Sequence, residues 1–362
     1  MKRVLVWFSG TGTEAEKQIE EIGFDVTLFD HIMVSSGVGT AELRQMAEKL
    51  TKKDKSVLER LFSATEKTGV LLDKIEGYKE RENIVSALQV FETIDYLNAL
   101  PNDEHVEMVL GGHSRGAAVG LVTFLATLNE QARYSVNEEG DTCWSKVSEI
   151  QLVPVDPVAG KQAGSEDTND MLNLPNDYPM SALLSDIENN LFQGREVFQV
   201  KVFCARFDAR DEFRFDSRWF EFIQTSQSLA RPVTVMSAGF RHSSMVDIED
   251  ELLPLYADID TSPIQLLRSI IEGNSLESIQ NDIELIRGVE LSFINRLARG
   301  KLTEEDQFIE KRTRTDSYIS DGIFGRWLSD HIYNGESLMT ILHDHAELLN
   351  EDFHINRRYL FK

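Results

Sequence analysis

The chain has 362 residues, 41% hydrophobic and 27% charged, enough to bury a sizeable core in one large domain or two of ordinary size. Its 37 Lys and Arg against 61 Asp and Glu leave a net charge of -24, which repels nucleic-acid phosphates and excludes nucleic acid as an expected partner. Two cysteines, Cys143 and Cys204, are too few for a disulfide framework or a zinc site, and no apolar run reaches the roughly 18 residues of a membrane span.

The apolar run at Val4-Leu5-Val6-Trp7-Phe8 is too short for the core of a signal peptide, so Arg3 to Phe8 predicts the first strand of the fold. It passes into Ser9-Gly10-Thr11-Gly12-Thr13-Glu14. A glycine-rich loop after an early strand either aims backbone NH groups at a reacting carbonyl or cradles phosphate. A phosphate loop needs a Lys-Ser/Thr pair after its glycines, and Glu14-Ala15-Glu16 has the wrong charge. Glu14 to Ile22 predicts a helix and Phe24 to Phe29 the next strand, with a second glycine turn at Ser35-Ser36-Gly37-Val38-Gly39-Thr40. Residues 41 to 98 show helical spacing in three stretches, through Leu43, Met46 and Leu50, Val57 to Phe62, and Ile84 to Leu97. Three such helices form a cap or one layer over the sheet.

The organising stretch comes next. The apolar run Val106, Met108, Val109, Leu110 leads into Gly112-His113-Ser114-Arg115-Gly116, and Ala117, Ala118, Val119, Leu121, Val122 and Leu125 lead out. The pattern G-x-S-x-G is weak alone, but here it stands between a predicted strand and a predicted helix. In that context the serine occupies a strained turn that lifts its hydroxyl clear of the sheet, which makes Ser114 the candidate nucleophile.

Asn137 to Asp141 reads as a polar loop, and Glu149 to Gly160 as a buried strand that delivers Asp156 at its carboxyl end. Residues 161 to 195 carry Gly164, Pro175 and Pro179 with little periodicity, which predicts an irregular segment, either a lid or a solvated insertion. Glu196 to Phe203 predicts another strand, followed by the mixed charges of Ala205 to Asp216; Asp208 or Asp211 there is the alternative acid to Asp156. Pro232 to Met236 is the last predicted strand, and His242 follows it on a loop, in position for a general base. From Pro263 on, apolar positions recur at helical spacing (Leu266, Leu267, Ile270, Ile271; Ile279, Ile283, Ile286). An aromatic stripe (Tyr318, Phe324, Trp327, Tyr333) with Lys311, Arg312 and Arg314 ahead of it suits either a helix packed on the core or contact with an anionic membrane surface.

Phe8-Ser9-Gly10-Thr11-Gly12, Gly37-Val38-Gly39-Thr40, Gly112-His113-Ser114-Arg115-Gly116-Ala117, Val155-Asp156-Pro157-Val158, Ala205 to Phe215 and Gly239-Phe240-Arg241-His242-Ser243 together resemble one family. It comprises the α/β-hydrolases that include phospholipase effectors of bacterial type VI secretion. That family usually has an aspartate where this chain has Ser9, a phenylalanine where it has His113, and a longer glycine run after the histidine. The resemblance spans roughly residues 1 to 262 and implies an α/β-hydrolase-like, mainly parallel sheet flanked by helices. It also implies an esterase or lipase, with phospholipid acyl esters as the expected substrate. It is silent on residues 263 to 362, which predict a separate helical C-terminal domain.

The expected chemistry is acyl transfer to Ser114, with His242 as base and Asp156 orienting it. Backbone NH groups of Arg115 and of the Gly10 to Gly12 loop, Thr11 and Gly12 among them, would hold the oxyanion. No metal or organic cofactor is needed. A thioesterase or peptidase would share these residues, and a binding protein on the same scaffold would keep them without turnover. The expected location is the cytoplasm of the producing cell, or outside it by a secretion system that leaves no cleavable mark.

Overall fold

The structure is a computed structural model and describes residues 1–43, 45, 78–134, 143–158, 179–204, 216, 218–219, 222, 233–237, 242, 246, 253–298, 301 and 303–304. Among the described residues six strands form, β1 (Lys2–Phe8), β2 (His31–Ser35), β3 (Val106–His113), β4 (Val147–Val155), β5 (Phe198–Cys204) and β6 (Val233–Ser237), ordered β2-β1-β3-β4-β5-β6 in one sheet. The described helices of eight residues or more are α1 (Ala15–Ile22), α2 (Tyr78–Ala99), α3 (Leu121–Tyr134), α4 (Met180–Leu191), α5 (Pro263–Ile271) and α6 (Gln280–Ala298). The architecture is α/β-hydrolase-like: a mainly parallel sheet flanked by helices, with helical structure toward the C-terminus.

Contacts divide the chain into two compact units. The first comprises Met1–Lys17, Phe29–Leu152 and Gln162–Gln199. Here β1 pairs in parallel with β2 (Val4 opposite His31) and with β3 (Trp7 opposite Gly111, Phe8 opposite Gly112). Val4 to Phe8 are almost wholly buried, as a near-continuous apolar run requires of a parallel strand covered on both faces. Phe8 meets Phe124 of α3 edge to face at 6.0 Å, and each such buried aromatic contributes about 2–3 kcal/mol of burial. The chain order places β3 on the opposite side of β1 from β2, so the direction of winding switches between β1 and β3. In open α/β sheets the crevice at the carboxyl ends of the strands flanking such a switch is where ligands bind.

The second unit comprises Gln18–Leu28, Val153–Lys161 and Val200–Lys362. In it β5 pairs in parallel with β6 from Val200 opposite Val233 to Cys204 opposite Ser237. Helix α5 starts at Ser262, whose side chain accepts from the Gln265 amide, with Pro263 at its first position; it buries Ile264, Leu266, Leu267, Ile270 and Ile271. Arg268 donates from Nε to the Ile22 carbonyl at 2.9 Å, and the Tyr256 hydroxyl donates to the buried Glu290 carboxylate at 2.8 Å.

Two expectations are corrected. Phe24 to Phe29 is no strand: Val26–Leu28 forms a single helical turn, with Val26 and Leu28 exposed. Asp25 causes this, because its carboxylate accepts from both the amide and the hydroxyl of Thr27, at 2.9 and 2.7 Å, and so closes a local turn. The strand begins instead at His31. The irregular segment expected over 161–195 contains helix α4, which buries Met180, Leu183, Leu184, Ile187 and Leu191 at helical spacing. Residues 161–178 of that segment lie outside the described residues, as do most of the expected helices between 44 and 77, the loop at 137–141 and the aromatic stripe with its basic neighbours beyond 310.

Candidate active site

Strand β3 ends at His113, and Ser114 follows with φ 56°, in the left-handed region that a side chain other than glycine enters at a cost of about 1–2 kcal/mol. The turn is fixed from its far side, since the amides of Ala117 and Ala118 both donate to the Ser114 carbonyl, at 3.1 and 3.0 Å. A wide helical turn over Gly116–Gly120 then leads into α3. Gly116 allows this tight return, because a Cβ there would sit 2.2 Å from the Phe8 carbonyl oxygen and 2.6 Å from that of Ser9. Any larger residue would push the elbow off the end of β1. Ser114 is largely buried, at 8% relative exposure.

The loop after β1 lies beside this turn. A Cβ on Gly10 would come 3.4 Å from Ser114 Cβ and 2.8 Å from His113 Nδ1. Two backbone bonds tie the loop to the second glycine turn: Gly12 NH to Val38 O and Gly37 NH to Thr13 O, both 2.8 Å. The Gly12 amide is therefore engaged within the loops, whereas among the described residues the Thr11 amide donates to no partner. The Ala15 amide donates to the Ser36 hydroxyl at 2.9 Å and to the Glu42 carboxylate at 3.3 Å, and Ser36 Oγ hydrogen-bonds Glu42, so the start of α1 is capped from the second loop.

In the second unit, His242 Nδ1 lies 2.5 Å from Asp156 Oδ2, across 86 positions of sequence. Both groups are buried, at 5% and 2% exposure. The carboxylate accepts in this contact, so Nδ1 is the donor. Asp156 directly follows β4, has φ 38°, and donates its amide to the Phe203 carbonyl at 2.8 Å. The structure thus brings Asp156 and His242 together, while Ser114, Arg115, Thr11 and Gly12 stand in the first unit. Asp208 and Asp211 lie outside the described residues.

The sequence reading passed over Asp216 and Arg218. Asp216 is buried, its carboxylate accepts from the Arg218 and Trp219 amides at 3.0 and 3.4 Å, and the Arg218 guanidinium donates to both of its oxygens at 3.3 Å. The only signal was an Asp two residues before an Arg at the start of an aromatic run, a pattern indistinguishable from a charged surface turn.

Fold and site together define the class, an α/β protein of α/β-hydrolase-like architecture with a serine at a strand-to-helix elbow. No protein-family model matches the chain. It is 34% identical over 317 residues to the extracellular phospholipase C of Dickeya chrysanthemi, covering 86% of each protein. The chain belongs to the family of that phospholipase and is, in general terms, a lipid-acting hydrolase. The crystal structure of an uncharacterized protein from Pseudomonas aeruginosa aligns with 99% of this chain at 12% identity and a TM-score of 0.37, and the chain spans 64% of that protein's length. Among the described residues no helix is long and apolar enough to cross a membrane.

Proposed function

We propose that the protein is a serine-dependent lipase or phospholipase working through Ser114, His242 and Asp156. The observation that carries this reading is the 2.5 Å hydrogen bond between His242 Nδ1 and Asp156, which orients the imidazole as the acid of such a site does. The strand order supports it as well. Ser114 follows β3, Asp156 follows β4 and His242 comes after β6, all beyond the carboxyl ends of strands.

Ser114 Oγ attacks the acyl carbonyl carbon while His242 Nε2 takes its proton, and the carboxylate of Asp156 stabilises the imidazolium. The oxyanion is held by the amides of Thr11 and Arg115, with the Gly12 amide holding the loop in shape against Val38. The imidazolium then protonates the departing alcohol, and water, deprotonated by Nε2, releases the acyl group. The proposed catalytic residues all lie within 1–262, and the region 263–362 is proposed to rest peripherally on a lipid surface. The extracellular relative favours action outside the producing cell.

A second reading follows from the name of the relative. A phospholipase C cleaves the phosphodiester, so Ser114 would attack phosphorus and expel diacylglycerol. Incubation with phosphatidylcholine vesicles separates the two: fatty acid and lysophospholipid mark acyl transfer, diacylglycerol and phosphocholine the phosphodiester route. Labelling of the wild type by a fluorophosphonate, lost in Ser114→Ala, tests the nucleophile in either case. No labelling of the folded wild type would remove Ser114 from the chemistry.

A further inference from the structure

We propose that the buried pair Asp216–Arg218 is a positioning device that holds the Asp156 carboxylate against His242, an inference that rests on the serine-hydrolase reading of the site. Asp156 has φ 38°, a backbone state unfavourable for any residue with a Cβ, so the surrounding structure must hold it there. Two backbone bonds grip the peptide on either side. The Asp156 amide donates to Phe203 O, and the carbonyl of the next residue, Pro157, accepts from the Asp216 amide, each at 2.8 Å. Proline has no amide of its own, so beyond Asp156 this carbonyl is the next backbone handle on the turn.

The Asp216 amide is held in turn by its own side chain. Oδ1 accepts from the amides of Arg218 and Trp219, capping the turn that begins there, and the guanidinium reaches both carboxylate oxygens from the side, Nε to Oδ1 and Nη2 to Oδ2 at 3.3 Å each. Trp219 and Phe222, fully buried and edge to face at 6.1 Å, root that turn in the core of the unit. The pair at 4% and 8% exposure is shielded from water, so loss of either charge removes a buried ion pair and the turn reorganises. Movement passes from Asp216 to Pro157 O and so to the Asp156 side chain, which has little tolerance at 2.5 Å from Nδ1.

Asp216→Asn keeps an oxygen to cap the turn and removes the charge; Arg218→Lys keeps the charge and loses the two-point grip. Both are compared with wild type in the full chain. With p-nitrophenyl butyrate, kcat should fall about a hundredfold in Asp216→Asn with KM within about twofold, the scale expected for a displacement of about 1 Å. The acid limb of kcat/KM should move to lower pH, because an imidazolium misaligned with its carboxylate is less stabilised. Arg218→Lys should move both in the same direction by less, which keeps the test in force where Asp216→Asn fails to fold. The His242 Nδ1 proton, followed by NMR at low field, reads the same contact without turnover. It should be sharp in the wild type and shifted or lost in the variants. Unchanged pH limb and proton signal beside a lowered melting temperature would overturn the proposal, leaving Asp216 purely structural. Absence of turnover by the wild type, with the proton signal present and sensitive to Asp216, would sink the hydrolase reading and leave the positioning role standing.

Discussion

Gly37 passes Gly10 so closely that a Cβ on Gly37 would lie 1.6 Å from the Gly10 carbonyl oxygen. The loop beside Ser114 and the loop after β2 therefore share a seam with room for hydrogen alone. Gly37→Ala must part them, breaking the Gly37–Thr13 and Gly12–Val38 bonds. Overpacking of this kind costs about 1–3 kcal/mol. The expected outcome is a lower urea midpoint together with a fall in kcat larger than the stability loss explains, measured on protein shown to be folded by circular dichroism.

Asp156→Asn keeps the shape of the acid and reverses its hydrogen-bond logic, since its amide donates to Nδ1 and forces the proton onto Nε2. An imidazole in that tautomer accepts no proton from Ser114. We expect kcat to fall about 10⁴-fold with the fold retained. Steady-state kinetics with a correspondingly slowed fluorophosphonate labelling rate checks it, and near-wild-type turnover would point to another acid.

Lys146, at 8% exposure, donates from Nζ to the carbonyls of Leu97 and Leu100 at 2.8 and 2.7 Å, closing the end of α2 where helix carbonyls lack partners. Lys146→Met strands the Leu100 carbonyl and leaves the Leu97 carbonyl only the Leu100 amide at 3.3 Å, and should destabilise the protein by about 1–3 kcal/mol in equilibrium denaturation. Activity per folded molecule should stay unchanged, because α2 carries none of the reacting groups.

Burial pushes the Cys143 thiol from 9.0 up to about 11. At pH 8 its thiolate fraction is then about a hundredfold lower than that of an open thiol, so iodoacetamide should modify Cys143 about a hundredfold faster in urea than in the native protein. The sign for stability follows from the folded state holding its proton more tightly. The contribution is fully present below pH 9 and is lost as pH rises toward 11. Peptide mapping after timed alkylation measures the first effect, and denaturation at pH 8 and pH 10 the second.

The parts of the fold and site that were legible share a strong local signal. The buried parallel strands announced themselves as apolar runs, and the elbow as a serine among glycines at a strand-to-helix junction; Asp156 stood at a strand end, and His242 lay beyond the last strand. The Asp156–His242 contact follows from that topology. What escaped depends on side chains answering one another. At Phe24 to Phe29 the alternation of apolar residues mimicked a strand, and only the reach of the Asp25 carboxylate to Thr27 turned it. Helix α4 was hidden by the prolines and glycines of the segment before it, although Leu183, Leu184, Ile187 and Leu191 are spaced as a helix needs. Asp216 was unreadable for the opposite reason. Its role lies in a bond from its backbone to Pro157, and no sequence pattern encodes such a bond.

Ser114 and Asp156 are two of the three non-glycine residues with positive φ among the described residues, the third being Gln193. Glycine would relax the chain at either place. On the proposed mechanism, selection of variants for heat resistance alone would thus be drawn toward Ser114→Gly, relaxed in its backbone and inert, whereas Asp156→Gly would also remove the buried carboxylate held against His242. Any engineering campaign on this scaffold has to screen for turnover alongside melting temperature, because under the proposed mechanism the gradients of durability and of catalysis point in opposite directions at Ser114.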